Sequence, residues 1–451
     1  MENIVTEIAK DFINKVIEAI TGTKDFMAIE TAMLAEAKVC AARLMGVYAE
    51  TLDGIIAADK AGRRGMGYAV HRRKDERKIQ TMVGEIAYQR TYYKKASGGY
   101  EYLTDTVMGV GERERVSAGM SLALAEAAKE MSYEKSSRYV SGGEISRQSV
   151  MERVRRSEAE RYETVEKRCV PELHIDADEA HITMSGGKKS EVPLISVYEG
   201  IERDGKRSKC RRIFHISEYG KSPDELWEQV LTEIERRYDL TGTKIYLHGD
   251  GASWIRTGFE WIPGAVFVLD KYHKNKAIKT MTAGLRESER KLLDGEIRTA
   301  LNNEDLRLFD EMTMYLCEQT PEREEKILNS SKYLKHFVKG ISICQTDPSA
   351  NNGGCTEPHI SHILSARLSS RPMAWSKKTL RKMAPVLACG QVASCTKSEP
   401  MVLPKPLRKA AANASKALRR GTLGLPHPDA IGALPLSGKT TGTQKILRIF
   451  Q

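Results

Sequence analysis

Long apolar runs are missing from this 451-residue chain. No window of about 18 apolar residues exists, so no segment reads as a membrane-spanning helix. The opening MENIVTEIAKDF carries acids and has no apolar stretch, so it does not read as a signal peptide. Paired cysteines are missing as well. Cys40, Cys169, Cys210, Cys317, Cys344, Cys355, Cys389 and Cys395 are scattered, with no C-x-x-C spacing anywhere. That argues against a zinc ribbon or finger and for free thiols in a reducing cytoplasm. Acids are in short supply relative to bases, 60 against 71, for a formal net charge of +11. A basic balance suits a polyanionic partner, because Lys and Arg displace counterions from phosphates, although charge alone equally serves solubility. With 41% hydrophobic and 29% charged residues, the chain can bury a sizeable core in two to four domains.

The apolar spacing of residues 1 to about 65 is helical. A basic stretch, His71-Arg72-Arg73-Lys74, leads into the β-rich run TMVGEIAYQRTYYKK. The Gly98-Gly99 turn and Tyr100 to Leu103 complete a hairpin. An Ala-rich helix follows over 117–129, then a short helix at 133–140 broken by Ser141-Gly142-Gly143, then the basic helix ISRQSVMERVRRSEAERYETVEKR. Helix, glycine turn and basic helix form a helix-turn-helix pattern, in which Arg147, Gln148, Arg153, Arg155 and Arg156 are candidates to face DNA along with Arg72 and Arg73. A helical hairpin with a solvated charged face has the same pattern.

The middle of the chain changes period. LHIDADEAHITM alternates apolar and polar residues and reads as a strand. VPLISVYEGIE and CRRIFHIS are two more, with turns at Gly186-Gly187-Lys188-Lys189 and Asp204-Gly205. Ser222-Pro223-Asp224-Glu225 opens a helix with a capping box and proline in its first turn. KIYLH is a fourth strand, ending in Gly249-Asp250-Gly251, and AVFVLD is a fifth. This order, β-β-β-α-β-α-β, is that of a ribonuclease-H-like core. Residues from about 274 to 340 turn helical, with Pro321 marking a break. QTDPSANNGGC then leads to a further helix, and the tail is rich in Pro, Ala, Gly, Lys and Arg. The fold class expected is α/β: a ribonuclease-H-like catalytic core on a mixed five-stranded sheet, interrupted by an all-helical insertion and preceded by a mainly helical DNA-binding region. The boundaries are an N-terminal helical region (1–70), a hairpin and helix-turn-helix region (71–165), the core's first part (166–275), the insertion (276–345), the core's second part (346–396) and a basic, partly disordered tail (397–451).

Such a core needs carboxylates that hold Mg²⁺ ions, because two metals about 4 Å apart clamp the attacking and leaving oxygens at phosphorus. Hard oxygen ligands suit Mg²⁺ and thiols do not. Asp178 on the first strand, Asp250 past the fourth and Glu357 at a helix start fall where the fold wants them. Asp176 and Asp178 share a strand face, so either can be the first ligand, while Glu179 points the other way. Each has a plainer reading: a solvated acidic strand end, an ordinary strand-to-helix turn, and an acid placed to suit a helix dipole. Cys355, His359 and His362 are ligand types for zinc, but a fourth at sensible spacing is missing. Asp270-Lys271-Tyr272-His273 ends the fifth strand, and His273 with Lys274 can touch phosphate.

Together IDADEAHI, HGDGASWI, VLDKYHKNKAI, GGCTEPHISHILSARLSSRPMAW and PLSGKTTGTQ resemble bacterial insertion-sequence transposases of the ISLre group, which are similar to Mutator-like transposases. The resemblance spans nearly the whole chain. It implies a DDE triad at Asp178, Asp250 and Glu357, a supporting acid–histidine pair at Asp270 and His273, and a supporting Trp375. It also implies the helical insertion between the second Asp and the Glu. Two departures are Pro358, where Gly is expected, and Asp176, where Glu is commoner. The activity implied is cleavage at insertion-element ends and strand transfer, dependent on Mg²⁺ or Mn²⁺, with two ions. The partners implied are double-stranded terminal repeats and target DNA, and at least a homodimer in a synaptic complex. The location implied is the bacterial cytoplasm at the nucleoid. A nuclease or resolvase on the same core, and a non-catalytic DNA-binding derivative, are the competing readings.

Overall fold

The computed structural model describes residues 2–159, 166–205, 207–370, 373–395 and 403–421. Its contacts form two compact units. One holds residues 1–127, 133–150 and 395–451, and the other holds 128–132 and 151–394. Among the described residues no helix is long and apolar enough to cross a membrane.

In the first unit, helices Glu2–Gly22 and Phe26–Ala58 cover the expected N-terminal helical stretch, and Asp25 caps the second by accepting from Met27 N. Strand Tyr68–Thr81 pairs antiparallel with Gly84–Lys95, which pairs with Tyr100–Glu101. The basic stretch 71–74 therefore lies within a strand. The ladder shifts register there, and Lys74 takes a left-handed φ of 62°. Leu52, Ile56, Tyr93 and Leu103 pack with Leu407, Ala410 and Ala414. The last three belong to a helix over Lys405–Gly421, so this part of the tail is ordered by burying its small apolar face. The remaining tail, including PLSGKTTGTQ, lies outside the described residues. Helices Tyr133–Ser141 and Arg147–Val154 flank the Gly142-Gly143 turn, where both glycines have positive φ. The second helix is shorter than its charge pattern suggests. It ends at Val154, and Glu158–Ala159 pairs instead with Val392–Ser394.

The second unit is α/β, built on a mixed five-stranded sheet. Its order is Phe214–Ile216, Lys189–Tyr198, Glu172–Thr183, Lys244–Gly249, Val266–Leu269. The first three strands pair antiparallel with one another, and the last two join the third in parallel. The expected strand CRRIFHIS is split. Cys210 closes a hairpin with Ile201, Arg212 turns left-handed at φ 47°, and only Phe214–Ile216 joins the sheet. The Ser222 capping box forms as its sequence implies. Leu226, Trp227, Val230 and Ile234 of the Pro223–Arg237 helix bury against Leu173, Ile175, Ala177, Ile195 and Val197 of the sheet.

Alternation along Glu172–Thr183 therefore leaves His174, Asp176 and Asp178 on the opposite face. The insertion helices Glu287–Asn302, Leu306–Gln319, Glu324–His336 and Val338–Thr346 share a core around Ile297, Phe309, Leu316 and Leu334, which also takes in Leu269 of the last strand. Pro321 opens the 3₁₀ turn that separates two of them. Trp375 is buried against the end of the central strand. Its N donates to Thr183 O at 3.0 Å and its indole to Leu368 O at 2.9 Å, which makes it a packing residue.

Trp227 is fully buried, donates to Trp254 O at 2.7 Å and leaves no room for a Cβ at Gly258. Trp227→Ala is expected to cost about 3–5 kcal/mol, read as a lower urea midpoint by circular dichroism.

Candidate active site

Sheet register alone aligns three acids. His248 pairs with Asp176 and Gly249 with Leu269, so Asp178, Asp250 and Asp270 fall in one row across adjacent strands. Asp250 and Asp270 each follow the carboxyl end of a parallel strand, where open α/β sheets place their ligand sites. Asp250 Oδ1 accepts from Ala252 N at 2.8 Å, and Asp178 Oδ1 from Glu179 N at 2.8 Å. Among the described residues no other hydrogen bond or ion pair reaches either carboxylate, so each keeps an oxygen free. Burial pushes the Asp178 carboxyl up to about 6, and the negative charges of Glu179 and Asp250 add to it.

Asp270 is held differently. It caps the Lys271–Thr282 helix, its Oδ2 accepting from Tyr272 N at 2.9 Å, His273 N at 3.2 Å and His273 Nδ1 at 3.2 Å. Its Oδ1 accepts from Thr356 Oγ1 at 3.0 Å. These donors keep it ionised below the usual carboxylate range despite burial. His273 is raised, first by the bond to Asp270 and then by the charges of Asp178, Asp270 and Asp250. One imidazole thus sits among three carboxylates.

Tyr333, from the insertion, was not signalled by any spacing in the sequence. Its hydroxyl donates to Asp250 O at 3.0 Å, and burial with the charges of Asp250, Asp270 and Asp178 pushes its pKa well up. Four residues on, the Phe337 ring fills the space beside Gly251, where a Cβ would lie 2.1 Å from it. Gly251 also has φ +85°, so both space and conformation demand glycine.

Glu357 is exposed in the first turn of the Thr356–His359 helix, next to the Thr356 that bonds Asp270. The loop before it is anchored from below. Asp176 is 1% exposed, and its carboxylate accepts from Gly354 N (3.2 Å), Cys355 N (2.8 Å) and the Tyr198 hydroxyl (3.0 Å). Burial pushes it up to about 8. Asp176 is therefore a loop anchor whose oxygens accept from the chain's own donors, whereas Asp178 keeps an oxygen free. Lys271 Nζ donates to Asn351 O and Gly353 O at 3.2 and 3.1 Å. Beneath Gly353 lies a buried imidazole pair, with His174 Nδ1 3.0 Å from His248 Nε2. Burial lowers both pKa values, that of His174 to about 4.

The nine basic or polar candidates for DNA contact separate. Arg73, Arg147 and Gln148 are exposed, and Arg72 is exposed but forked onto Asp75 at 2.6 and 2.5 Å. Arg156 is half-buried with a partner of its own. Two expectations need correcting. Arg153 is 7% exposed and does not face solvent, because the helix turns that side inward. Arg155 lies past the helix end and bonds Thr379, Ser376 and Glu152. Lys274 is half-buried, and burial lowers its pKa. His273 belongs to the acidic centre.

For metal, the described residues bring three ligand atoms within 4.8 Å of one another only at Glu179, His181 and Glu191. Glu179 is committed to the Trp254 indole at 2.8 Å, and the other two are exposed. Asp178, Asp250 and Glu357 are more widely spaced. Their donor set still suits a hard divalent cation: oxygen-only ligands, two free carboxylate oxygens, and at Asp178 a charge that burial raises in energy.

Two outcomes are expected. A Cβ at Gly353 would lie 2.2 Å from His248 Nε2 and 2.6 Å from His174 Nδ1. Gly353→Ala should therefore displace the loop and cost about 1–3 kcal/mol, checked by thermal melting. The unfolded chain takes up protons on His174 near pH 6.5, whereas the folded one resists until about pH 4. The stability from keeping it neutral is full above pH 6.5 and lost as pH falls towards 4. Melting temperature should drop through that window, and less so in a His174→Gln variant.

A profile of the uncharacterised protein family UPF0236 matches residues 23–398. One UPF0236 protein of Caldanaerobacter subterraneus subsp. tengcongensis is 35% identical over 396 residues, covering 85% of this chain and 82% of its own. Another from that organism is 38% identical over 344 residues, covering 74% and 71%, and is named for eleven loci. A UPF0236 protein in the vanSb 3′ region of Streptococcus gallolyticus is 24% identical over 330 residues, covering 69% and 72%. By this extent of match, the chain belongs to the family UPF0236.

Proposed function

We propose that this chain is a DDE-type transposase with a ribonuclease-H-like core, cutting DNA at the ends of a mobile element and joining the new 3′-hydroxyl to target DNA. The single observation that carries the reading is the row of acids at one level of the mixed sheet, with Asp178 and Asp250 each keeping a free oxygen. A mixed sheet of three mutually antiparallel strands followed by two parallel ones is compatible with a ribonuclease-H-like core and adds support. So does a relative named for eleven loci of one genome, the trace that a self-moving element leaves.

Asp178, Asp250 and Glu357 would hold Mg²⁺ or Mn²⁺, which when bound activates the attacking oxygen and neutralises charge at phosphorus. The chain's own contribution is positioning and charge. Asp270 orients His273 through Nδ1, leaving Nε2 to hold a proton beside the scissile phosphate. Lys271 and Asp176 keep the loop before Glu357 in place, and Tyr333 keeps the Asp250 turn in place. Basic residues on the first unit's hairpin and on its second glycine-turn helix would bind duplex DNA, and synapsis of two ends requires at least a dimer.

The test is cleavage of a labelled duplex carrying the element end, with Mg²⁺ or Mn²⁺. Asp178→Asn, Asp250→Asn and Glu357→Gln should each abolish cutting and leave DNA affinity unchanged. An Asp250→Asn protein that cuts at the wild-type rate would sink the assignment. Tyr333→Phe should lower the rate and raise the metal concentration needed for half-maximal cutting. A purely structural tyrosine would leave that concentration alone.

A further inference from the structure

One face of the hairpin in the first unit carries four aromatic rings in contact. Alternation along Gly84–Lys95 turns Tyr93 inward onto Leu52 and Ile56, and so turns Tyr92 and Lys94 to the other face. Arg72 stands opposite Tyr92, and Tyr100 opposite Lys94. The Tyr92 ring stacks on those of Tyr102 and Tyr100, with centroids 4.5 and 5.0 Å apart, and His71 meets Tyr100 at 4.8 Å. The cluster is held firmly. The Tyr102 hydroxyl donates to Asp75 at 2.7 Å, and the buried Arg90 guanidinium lies 3.5 Å from the Tyr102 ring centre.

Rings paired across strands steady a hairpin, and that is the plainer role. Two observations go beyond it. The outer rings stand in water: Tyr100 is 43% exposed, and His71 is exposed. The charge around them is also one-sided. Asp75 is taken up by the Arg72 fork, and Glu101 by Lys95, Tyr68 and Thr106. Lys94 on the ring face, and Arg73 and Lys74 along the same hairpin, are exposed with no carboxylate paired to them among the described residues.

We propose that this face binds an unpaired strand of DNA, with bases stacked on Tyr100 and His71 and phosphates on Lys94, Arg73 and Lys74. Charge complementarity selects that occupant. An apolar peptide leaves the three cations without partners. A duplex offers phosphates but keeps its base faces stacked inside, out of reach of the rings. A single strand supplies flat bases and phosphates in alternation, and stacking on an aromatic ring suits any base. The cations serve the phosphates of duplex and single strand alike, whereas the rings add what only unpaired bases use. A cut strand end can unpair, so a part for this face in cutting rests on the proposed transposase activity. The binding itself does not.

Fluorescence anisotropy with the full-length protein and a chelator tests the site. A labelled oligothymidylate is compared with an abasic strand of the same length, which keeps the phosphates and lacks the bases, and with a duplex. Oligothymidylate should bind about ten-fold more tightly than the abasic strand. Tyr100→Ala should weaken oligothymidylate binding about ten-fold and leave duplex affinity unchanged, whereas Tyr100→Phe, which keeps the ring, should bind as wild type does. Arg73→Ala should weaken binding to all three and flatten its salt dependence. Equal affinity for oligothymidylate and the abasic strand, or affinity for neither, would overturn the proposal. So would a folded Tyr100→Ala protein that holds oligothymidylate as tightly as wild type. The first comparison needs only the wild-type chain, so a poorly folded variant does not leave the question open. Base-dependent binding by a protein that cuts no DNA would keep this site and discard the transposase reading. Cutting without base-dependent binding would do the reverse.

Discussion

Asp176 is the residue on which the arrangement of the site depends. A carboxyl group removed from water on a central strand must have its oxygens satisfied, or the cost is several kcal/mol. Here Gly354 N, Cys355 N and the Tyr198 hydroxyl satisfy them, and two of those donors belong to the loop that leads to Glu357. The demand for partners makes Asp176 a fastening for that loop. The imidazole pair beneath Gly353 works in the same direction, because its closeness to the loop backbone admits no side chain there.

The insertion acts on the other side of the acidic row. Its core takes in Leu269 of the last strand and Ile278 and Met281 of the helix that follows, so it is packed onto the sheet edge, and it extends Tyr333 and Phe337 to the Gly249-Asp250-Gly251 turn. A turn flanked by glycines has many conformations in isolation. The tyrosine's bond to Asp250 O and the phenylalanine's occupation of the space by Gly251 select one of them. Asp270 links the two halves, since it receives Thr356 on one oxygen and His273 on the other.

Much of this was legible in the residues. The alternation in LHIDADEAHITM placed Asp176 and Asp178 on one face, and the Ser222 box placed a helix start, because period and capping are local properties. Pro321 marked a real break. Legibility failed where a tertiary partner overrode a local pattern. CRRIFHIS alternates like one strand, yet Arg212 turns it. The charged helix after Gly143 stops at Val154 because the chain pairs with Val392–Ser394 instead. Arg153 and Arg155 look alike in sequence and lie in an inward-facing turn and a hydrogen-bonded corner.

By itself, the sequence determined the element types, the acids at the strand ends and the absence of paired cysteines, since each depends on neighbours a few positions away. It favoured Asp178 but kept Asp176 as an alternative, because both lie on the same strand face two residues apart. Only the tertiary structure separated them. The glycine loop, some 180 residues further along, packs against Asp176 and leaves Asp178 open beside Asp250. Burial and hydrogen-bond supply at a strand position come from whatever the chain folds across it, and no local pattern records that.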